Sequence, residues 1–364
     1  MSDRATRRRF LGAAMAAPAW LALAPRGAHG GPPGKGGPIR VGQIGTKHPH
    51  AKGQTRTLLK YPEQFELVGI VEPDLERRAR VGQDEVYAGS KWVSEEELLA
   101  TAGLQAVAVE TEVRDLLPTA QRCLDAGFHV HLDKPAGESF SALEKLHATA
   151  ERKGLTIQMG YMYRYNPAFR FVFEAVREGW LGEVFEIHTE MSKTLGPESR
   201  KTIAAYPGGS MFELGCHVID PLVYIMGPPT AVTGYVRRSG AYPDGLADNM
   251  LAVLEYPRAT ATVRSAVIEV EGSRRRQFVV CGDRGTVVIQ PLEPPRLQLT
   301  LREPRGEYRK GTQIVELPEA PGRYDGTWLD FARAIRGEKP SDFSHEHDLA
   351  VQRAILQASR VPLT

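Results

Sequence analysis

"RVGQIGTKHPHAKG", residues 40–53, begins as a strand and runs into a tight turn that opens a helix. Aligned on Gly45, the dinucleotide fingerprint GxGxxG would place glycines at 47 and 50, where this chain has Lys47 and His50. In that fingerprint the first glycine makes the turn, the second lets backbone approach a pyrophosphate, and the third lets the helix pack on the strand. One glycine of three is a weak signature, and three neighbouring features strengthen it. Pro49 suits the first turn of a helix, where a missing N–H costs nothing, so the helix N-terminus still points at an anion. Lys47 brings a cation to the place a pyrophosphate would take. Glu72 ends the next strand, where a carboxylate accepts hydrogen bonds from both ribose hydroxyls and repels a 2′-phosphate. The loop of Gly45, Thr46, Lys47, His48 and His50, together with Glu72, therefore reads as a cofactor site that favours NAD over NADP.

Outward from this loop, short apolar runs alternate with helical periodicity. "IRVGQI", "FELVGIVE", "LQAVAVE", "FHVHLD" and "LTIQMGY" read as five buried strands, with helices over 50–61, 113–126 and 139–153. Such alternation implies right-handed parallel crossovers, a doubly wound α/β sheet of Rossmann type, and a ligand at the carboxyl ends of its strands. After Tyr161 the pattern changes. A helix over 167–178, a strand "EVFEIHTEM" and a helix over 210–226 precede the runs "VTGYVRR", "NMLAVLEY", "ATVRSAVIEV", "RQFVVCGD" and "GTVVIQ", and helices over 327–336 and 345–359 close the chain. This predicts a C-terminal α+β domain on a mostly antiparallel open sheet. The boundaries read as a signal at 1–30, a Gly/Pro linker at 31–38, a nucleotide-binding domain at 39–160 and a substrate-binding and oligomerisation domain at 161–364.

The first thirty residues carry Thr6, Arg7, Arg8, Arg9, Phe10 and Leu11, a twin-arginine pattern, before an Ala/Leu stretch without acids. That stretch is too short and alanine-rich for a membrane span, and export to the periplasm is the expectation, with an uncleaved anchor as the variant. Residues 1–38 hold six Lys/Arg against one Asp, a net of +5, which leaves −3 for the remainder of a chain whose net is +2. The basicity belongs to the export segment, so nothing points to nucleic acid. Three scattered cysteines make neither a disulfide framework nor a zinc pair, and His48 and His50, with no acidic cluster nearby in sequence, suggest no metal site.

At "HLDKPAG", residues 131–137, the chain resembles the Gfo/Idh/MocA family of two-domain oxidoreductases. "GYMYRYNPAFR" (160–170), "GGSMFELGCHVID" (208–220) and the terminal "WLDFARAIRGEKPS" extend the likeness over nearly all of 39–359. The resemblance implies that Lys134, in the family's Glu-Lys-Pro position written here Asp133-Lys134-Pro135, lies beside the nicotinamide and hydrogen-bonds the reacting hydroxyl. A lysine so placed stabilises developing alkoxide charge. The family's Asp-x-x-x-His segment falls on Glu213 and His217, which implies that His217 takes the substrate proton while Glu213, four residues away on one helix face, orients it. The resemblance further implies that Arg164, Tyr165 and Asn166 contact substrate hydroxyls, brace Lys134 or serve the structure, that Asp220 supports His217 or satisfies helix backbone, and that Thr111 and Asp133 lie beside the cofactor.

Twin-arginine transport moves folded proteins, so a cofactor loaded in the cytoplasm must be regenerated within each cycle. Two chemistries answer to this: a sugar or cyclitol oxidoreductase with tightly held NAD(H), of which a two-substrate ping-pong enzyme is one form, and a redox-neutral glycosidase working by oxidation, elimination, hydration and reduction; the non-enzyme alternative is a nucleotide- or sugar-sensing binding protein without turnover. The expected partners are a small carbohydrate or cyclitol, the translocase during export, and further copies of the chain in a homo-oligomer.

Overall fold

The computed structural model describes residues 37–319 and 322–364. The twin-arginine segment and most of the linker lie outside them.

Five strands, β1 (Ile39–Ile44), β2 (Phe65–Val71), β3 (Ala106–Val109), β4 (His129–Leu132) and β5 (Ile157–Met159), form a wholly parallel sheet in the order β2-β1-β3-β4-β5. The crossovers contain α1 (Ala51–Lys60), α2 (Leu75–Val81), α3 (Glu95–Leu99), α4 (Val113–Asp125) and α5 (Phe140–Lys153). Helices on both faces bury β3 and β5 at every position, which is why these strands read as unbroken apolar runs rather than alternating ones. The chain leaves β1 toward β2 on one side and returns to β3 on the other, so the crevice at a reversal of strand order lies between the loops after β1 and β3.

The rest of the chain builds an eight-stranded sheet from β6 (Val184–Glu190), β7 (Ala231–Arg237), β8 (Asn249–Tyr256), β9 (Ala259–Ala266), β10 (Gln277–Gly282), β11 (Gly285–Leu292), β12 (Pro295–Leu301) and β13 (Gly311–Val315). Its only parallel pair among the described residues is β6 with β9. The helices of this half are α6 (Pro167–Arg177), α7 (Pro197–Ala204), α8 (Cys216–Met226), α9 (Asp325–Ile335) and α10 (His345–Ala358). Strands such as β8 alternate buried and exposed positions because helices cover one face. The other face shows the exposed side chains Tyr235, Leu251 and Ile314.

Several elements differ from the sequence reading. α2, α3 and α7 are too short to show periodicity, and β12 hides behind "PLEPP", whose prolines read as loop. The run "ATVRSAVIEV" leaves the sheet after Ala266. The helix expected over 210–226 opens as a π turn, Met211–Gly215, before α8. Trp328 of α9, fully buried, stacks on His131 of β4 at 4.3 Å and donates its indole N–H to Gln54 of α1 at 2.8 Å, tying the C-terminal helices to the parallel sheet.

Candidate active site

Gly45 is the one fingerprint glycine the turn cannot lose. Its φ is +90°, and a Cβ there would lie 2.7 Å from the Glu110 carbonyl oxygen. Next to it, Thr46 donates its backbone N–H and hydroxyl to Glu72 Oε2 at 3.2 and 2.6 Å, and the Asp74 N–H reaches Glu72 Oε1 at 3.2 Å. Arg77 donates to the Thr46 hydroxyl at 2.8 Å, hydrogen-bonds the Thr46 carbonyl, and stands 3.6 Å from Glu72. Both Glu72 oxygens already accept from the protein's own loop, which holds the carboxylate in place, and a ribose hydroxyl would share it with Thr46 and Asp74. Glu72 still lines a cavity of about 610 Å³ beside Gly45, Trp92 and Thr111, at the strand-order reversal. The glycine turn and this cavity fit the adenosine half of a dinucleotide.

The residues in place of the other glycines, Lys47 and His50, line a neighbouring cavity and make contacts of their own. Lys47 pairs with Glu112 at 3.2 Å, so its ammonium joins the loops after β1 and β3 instead of standing free over a pyrophosphate. Pro49 precedes the N-cap, His50, and α1 begins at Ala51. His48 is buried, its Nε2 is 2.9 Å from the Lys134 carbonyl oxygen, and its Nδ1 accepts the His50 N–H at 3.3 Å. Burial pushes its pKa down to about 4. His50 Nδ1 lies 2.9 Å from Asp133 Oδ1. Asp133 was expected to face the cofactor; instead it is fully buried, accepting from Gln54 Nε2 at 3.0 Å and from the Lys134 N–H at 2.7 Å. Folding also supplies the acids that the sequence does not place near these histidines. Asp133 lies 3.4 Å and Glu110 3.7 Å from His48 Nδ1, and the ligating atoms of His48, His50 and Asp133 fall within 4.8 Å of one another. Each of those three side chains also has a protein hydrogen-bond partner, so they form one connected network. Burial and the neighbouring Asp133 raise Glu110 well above the carboxylate range, while the facing imidazoles of His48 and His50 and the Lys134 ammonium outweigh burial and hold Asp133 below it. The network fixes the turn that carries Lys134 to the loop after β1.

Lys134 lines a second cavity of about 700 Å³, which meets the first at Thr111. Its ammonium donates to the Glu213 carbonyl at 3.1 Å and to Glu213 Oε1 at 3.3 Å. Glu213 Oε2 accepts the Tyr206 hydroxyl at 2.6 Å. Burial opposes both charges, but each partner more than offsets it: Lys134 is held above its ordinary value and Glu213 below. His217 lines the same cavity with no hydrogen bond to its ring among the described residues, and its Nδ1 is buried without a partner. Burial first, then the charges of Lys134, His50 and Arg276, drive His217 well below 6.5, so the imidazole is neutral.

The expected Glu213–His217 pairing is not formed. Glu213 sits in the π turn, a distortion that recurs at functional sites, and faces Lys134 and Tyr206. The expected substrate contacts at 164–166 are also corrected. Arg164 is buried in an ion cluster, donating to Asp220 at 2.7 Å and to Asp348 at 2.5 Å, with His347 on Asp220 at 3.1 Å. Asp220 thus serves Arg164, not His217. Tyr165 packs against Gly326, Asn166 caps α6 by accepting the Ala168 N–H at 3.0 Å, and none of the three lines the cavity. Sequence reasoning missed Glu110, Tyr206, Lys193 and Arg276. Of these only Glu110 carried a signal, an acid closing an otherwise apolar strand run.

Residues 39–161 match the oxidoreductase family model with an NAD-binding Rossmann fold, and residues 169–288 match the GFO/IDH/MocA C-terminal domain. D-xylose 1-dehydrogenase (NADP(+)) 2 of Haloferax volcanii is 29% identical over 80% of this chain and 88% of its own length. The dTDP-3,4-didehydro-2,6-dideoxy-alpha-D-glucose 3-reductase of Streptomyces antibioticus is 23% identical over 87% and 94%. Among solved structures, the aldose-aldose oxidoreductase of Caulobacter crescentus, complexed with glycerol, superposes with a TM-score of 0.74 at 21% identity, covering 89% of this chain and 98% of that one.

Proposed function

The chain belongs to the Gfo/Idh/MocA oxidoreductase family, and from that premise we propose that it oxidises or reduces a sugar, sugar derivative or cyclitol at the cavity lined by Lys134 and His217. One observation carries this reading: a charged ammonium and a neutral imidazole line one cavity at the carboxyl end of the parallel sheet. A nicotinamide cofactor held by the Gly45 turn and Thr111 would supply the two-electron acceptor. The chain's residues supply the rest. His217 takes the hydroxyl proton as the C–H bond gives up its hydride, and Lys134 donates to the same oxygen and stabilises its developing charge. Glu213 and Tyr206 hold the ammonium in place.

NAD is the proposed cofactor because Glu72 opposes a 2′-phosphate, although Arg77 stands close enough to temper it. Export by the twin-arginine route and self-association through the open sheet face are parts of the same proposal. The twin-arginine start also supports a second reading, the redox-neutral glycosidase, since both require cofactor return in each cycle. The cavity-lining Lys134 and His217 weigh against a sensor without turnover.

Following reduced-nicotinamide absorbance with a panel of aldoses and cyclitols, beside p-nitrophenol release from aryl glycosides, separates these readings. Net cofactor reduction identifies the dehydrogenase. Release of p-nitrophenol without it identifies the glycosidase, and neither signal with retained ligand binding identifies the sensor. Because His217 is held below 6.5, its base form persists into acid, and the acid limb of kcat/KM for oxidation should fall below pH 6.5.

A further inference from the structure

The cavity holds more positive charge than the proposed reaction uses. Beside Lys134, the cavity is lined by Lys193 and Arg276, from the ends of β6 and β10, and by Arg323, just before α9. Two of the four are matched: Lys134 by Glu213, and Arg323 by Glu293 at 2.8 Å. Lys193, just beyond β6, is half-buried, and its ammonium has no hydrogen bond or ion pair among the described residues. Arg276, just before β10, gives its Nε–H to the Ser192 carbonyl at 3.0 Å and has no carboxylate partner among them. These cations feel one another. Burial leads the lowering of Lys193, and Lys134, Arg276 and Arg323 add to it against the opposing charge of Glu213.

Two unmatched cations on a partly desolvated wall raise the free energy of the empty site and favour any ligand that brings an anion. The cofactor's adenosine half does not meet this need, since neither residue lines the cavity beside Gly45 and Glu72. Both share the cavity of Lys134 and His217, and they come from the ends of β6 and β10 rather than from the loop after β1 that would hold the cofactor's pyrophosphate, so they serve the molecule whose hydroxyl reacts there. A lysine supplies a point charge and an arginine a directional fork, a combination suited to carboxylate or phosphate oxygens.

We propose that the substrate is an anionic carbohydrate, carrying a carboxylate or a phosphate ester that docks on Lys193 and Arg276 while its reacting hydroxyl lies at Lys134 and His217. This rests on the reading of Lys134 and His217 as the reaction centre.

The test uses the full chain with NAD(H) and matched sets that differ by one group: D-glucose, D-glucuronate and D-glucose 6-phosphate, with the galacto and manno sets beside them. In the reactive set, kcat/KM for one anionic member should exceed that of the neutral sugar at least tenfold, and which member wins separates carboxylate from phosphate. Lys193→Met and Arg276→Met should each reduce that anionic-to-neutral ratio about tenfold, chiefly through KM, and Lys193→Arg should retain it. A neutral sugar that reacts as well as its anionic partners, or a ratio that survives both methionine variants, overturns the proposal. Where no member turns over, D-gluconate and 6-phosphogluconate are titrated into the complex with NADH by calorimetry. Binding of either that is lost in Lys193→Met supports the proposal, and binding of neither overturns it. Failure to bind NADH itself would count against the reaction centre, and the same anion titration on the cofactor-free chain would still decide the wall. Circular dichroism melts of each variant establish that it is folded.

Discussion

Arg164 and Lys134 are both buried cations, and each pairs with a carboxylate from the stretch 213–220, yet their surroundings differ in kind. Arg164 binds two aspartates, and the rings of Phe343 and Tyr161 lie 4.2 and 4.9 Å from its guanidinium. Its guanidinium is enclosed by protein groups, and it lines neither of the two site cavities. Lys134 gives two hydrogen bonds, both to Glu213, and an ammonium has three donors, which leaves one for the cavity it lines. Buried charge is therefore a poor marker of chemistry here. The better marker is hydrogen-bonding capacity left unfilled at a cavity wall, which also singles out His217, Lys193 and Arg276.

Three substitutions test that contrast. The largest effect should come from Lys134→Met, which removes the donor to the reacting oxygen. Turnover should fall about 10³-fold, within the range for a positioned acid–base or electrostatic group. Its thermal midpoint should drop less than that of Arg164→Met, because Glu213 keeps the Tyr206 hydroxyl. A Lys134→Met protein with near-normal turnover would erase the distinction. Arg164→Met should act in the opposite sense. It leaves Asp220 and Asp348 buried without their cation, a loss on the order of 3–5 kcal/mol by denaturant unfolding, with KM of the folded fraction preserved. A raised KM at unchanged stability would restore Arg164 to the substrate site. The smallest effect belongs to Tyr206→Phe, which leaves Glu213 Oε2 one donor short. Stability should fall by about 1 kcal/mol and turnover several-fold, through a less firmly held Lys134, without change in cofactor affinity.

What the sequence made legible follows the same division. The parallel sheet was readable because burial on both faces writes continuous apolar runs, and the helices between them are long enough to show a period. Lys134 and His217 were found through the motifs around them, and both line the cavity. Their partners were not readable. The π turn at Met211–Gly215 breaks the regular helical spacing that the Glu213–His217 expectation relied on, and Glu213 faces Lys134 instead. Arg164 reads as a substrate contact in sequence because nothing local shows that Asp220 and Asp348, 56 and 184 residues away, will enclose it. Lys193 and Arg276 come from strand ends far apart in sequence, and only the folded second sheet sets them on one wall. The replaced glycines were visible as departures, and their purpose emerged once His48, His50 and Asp133 met beneath Lys134.

All of this depends on the loop after β1 accepting a dinucleotide with Lys47 and His50 in place of two glycines. Fluorescence titration of NADH and NADPH into the purified wild-type chain, after stripping and assaying any copurified cofactor, addresses it directly. The account expects saturable binding at one site per chain, with NADH bound more tightly than NADPH. No saturable binding of either, together with no copurified nicotinamide, would contradict it.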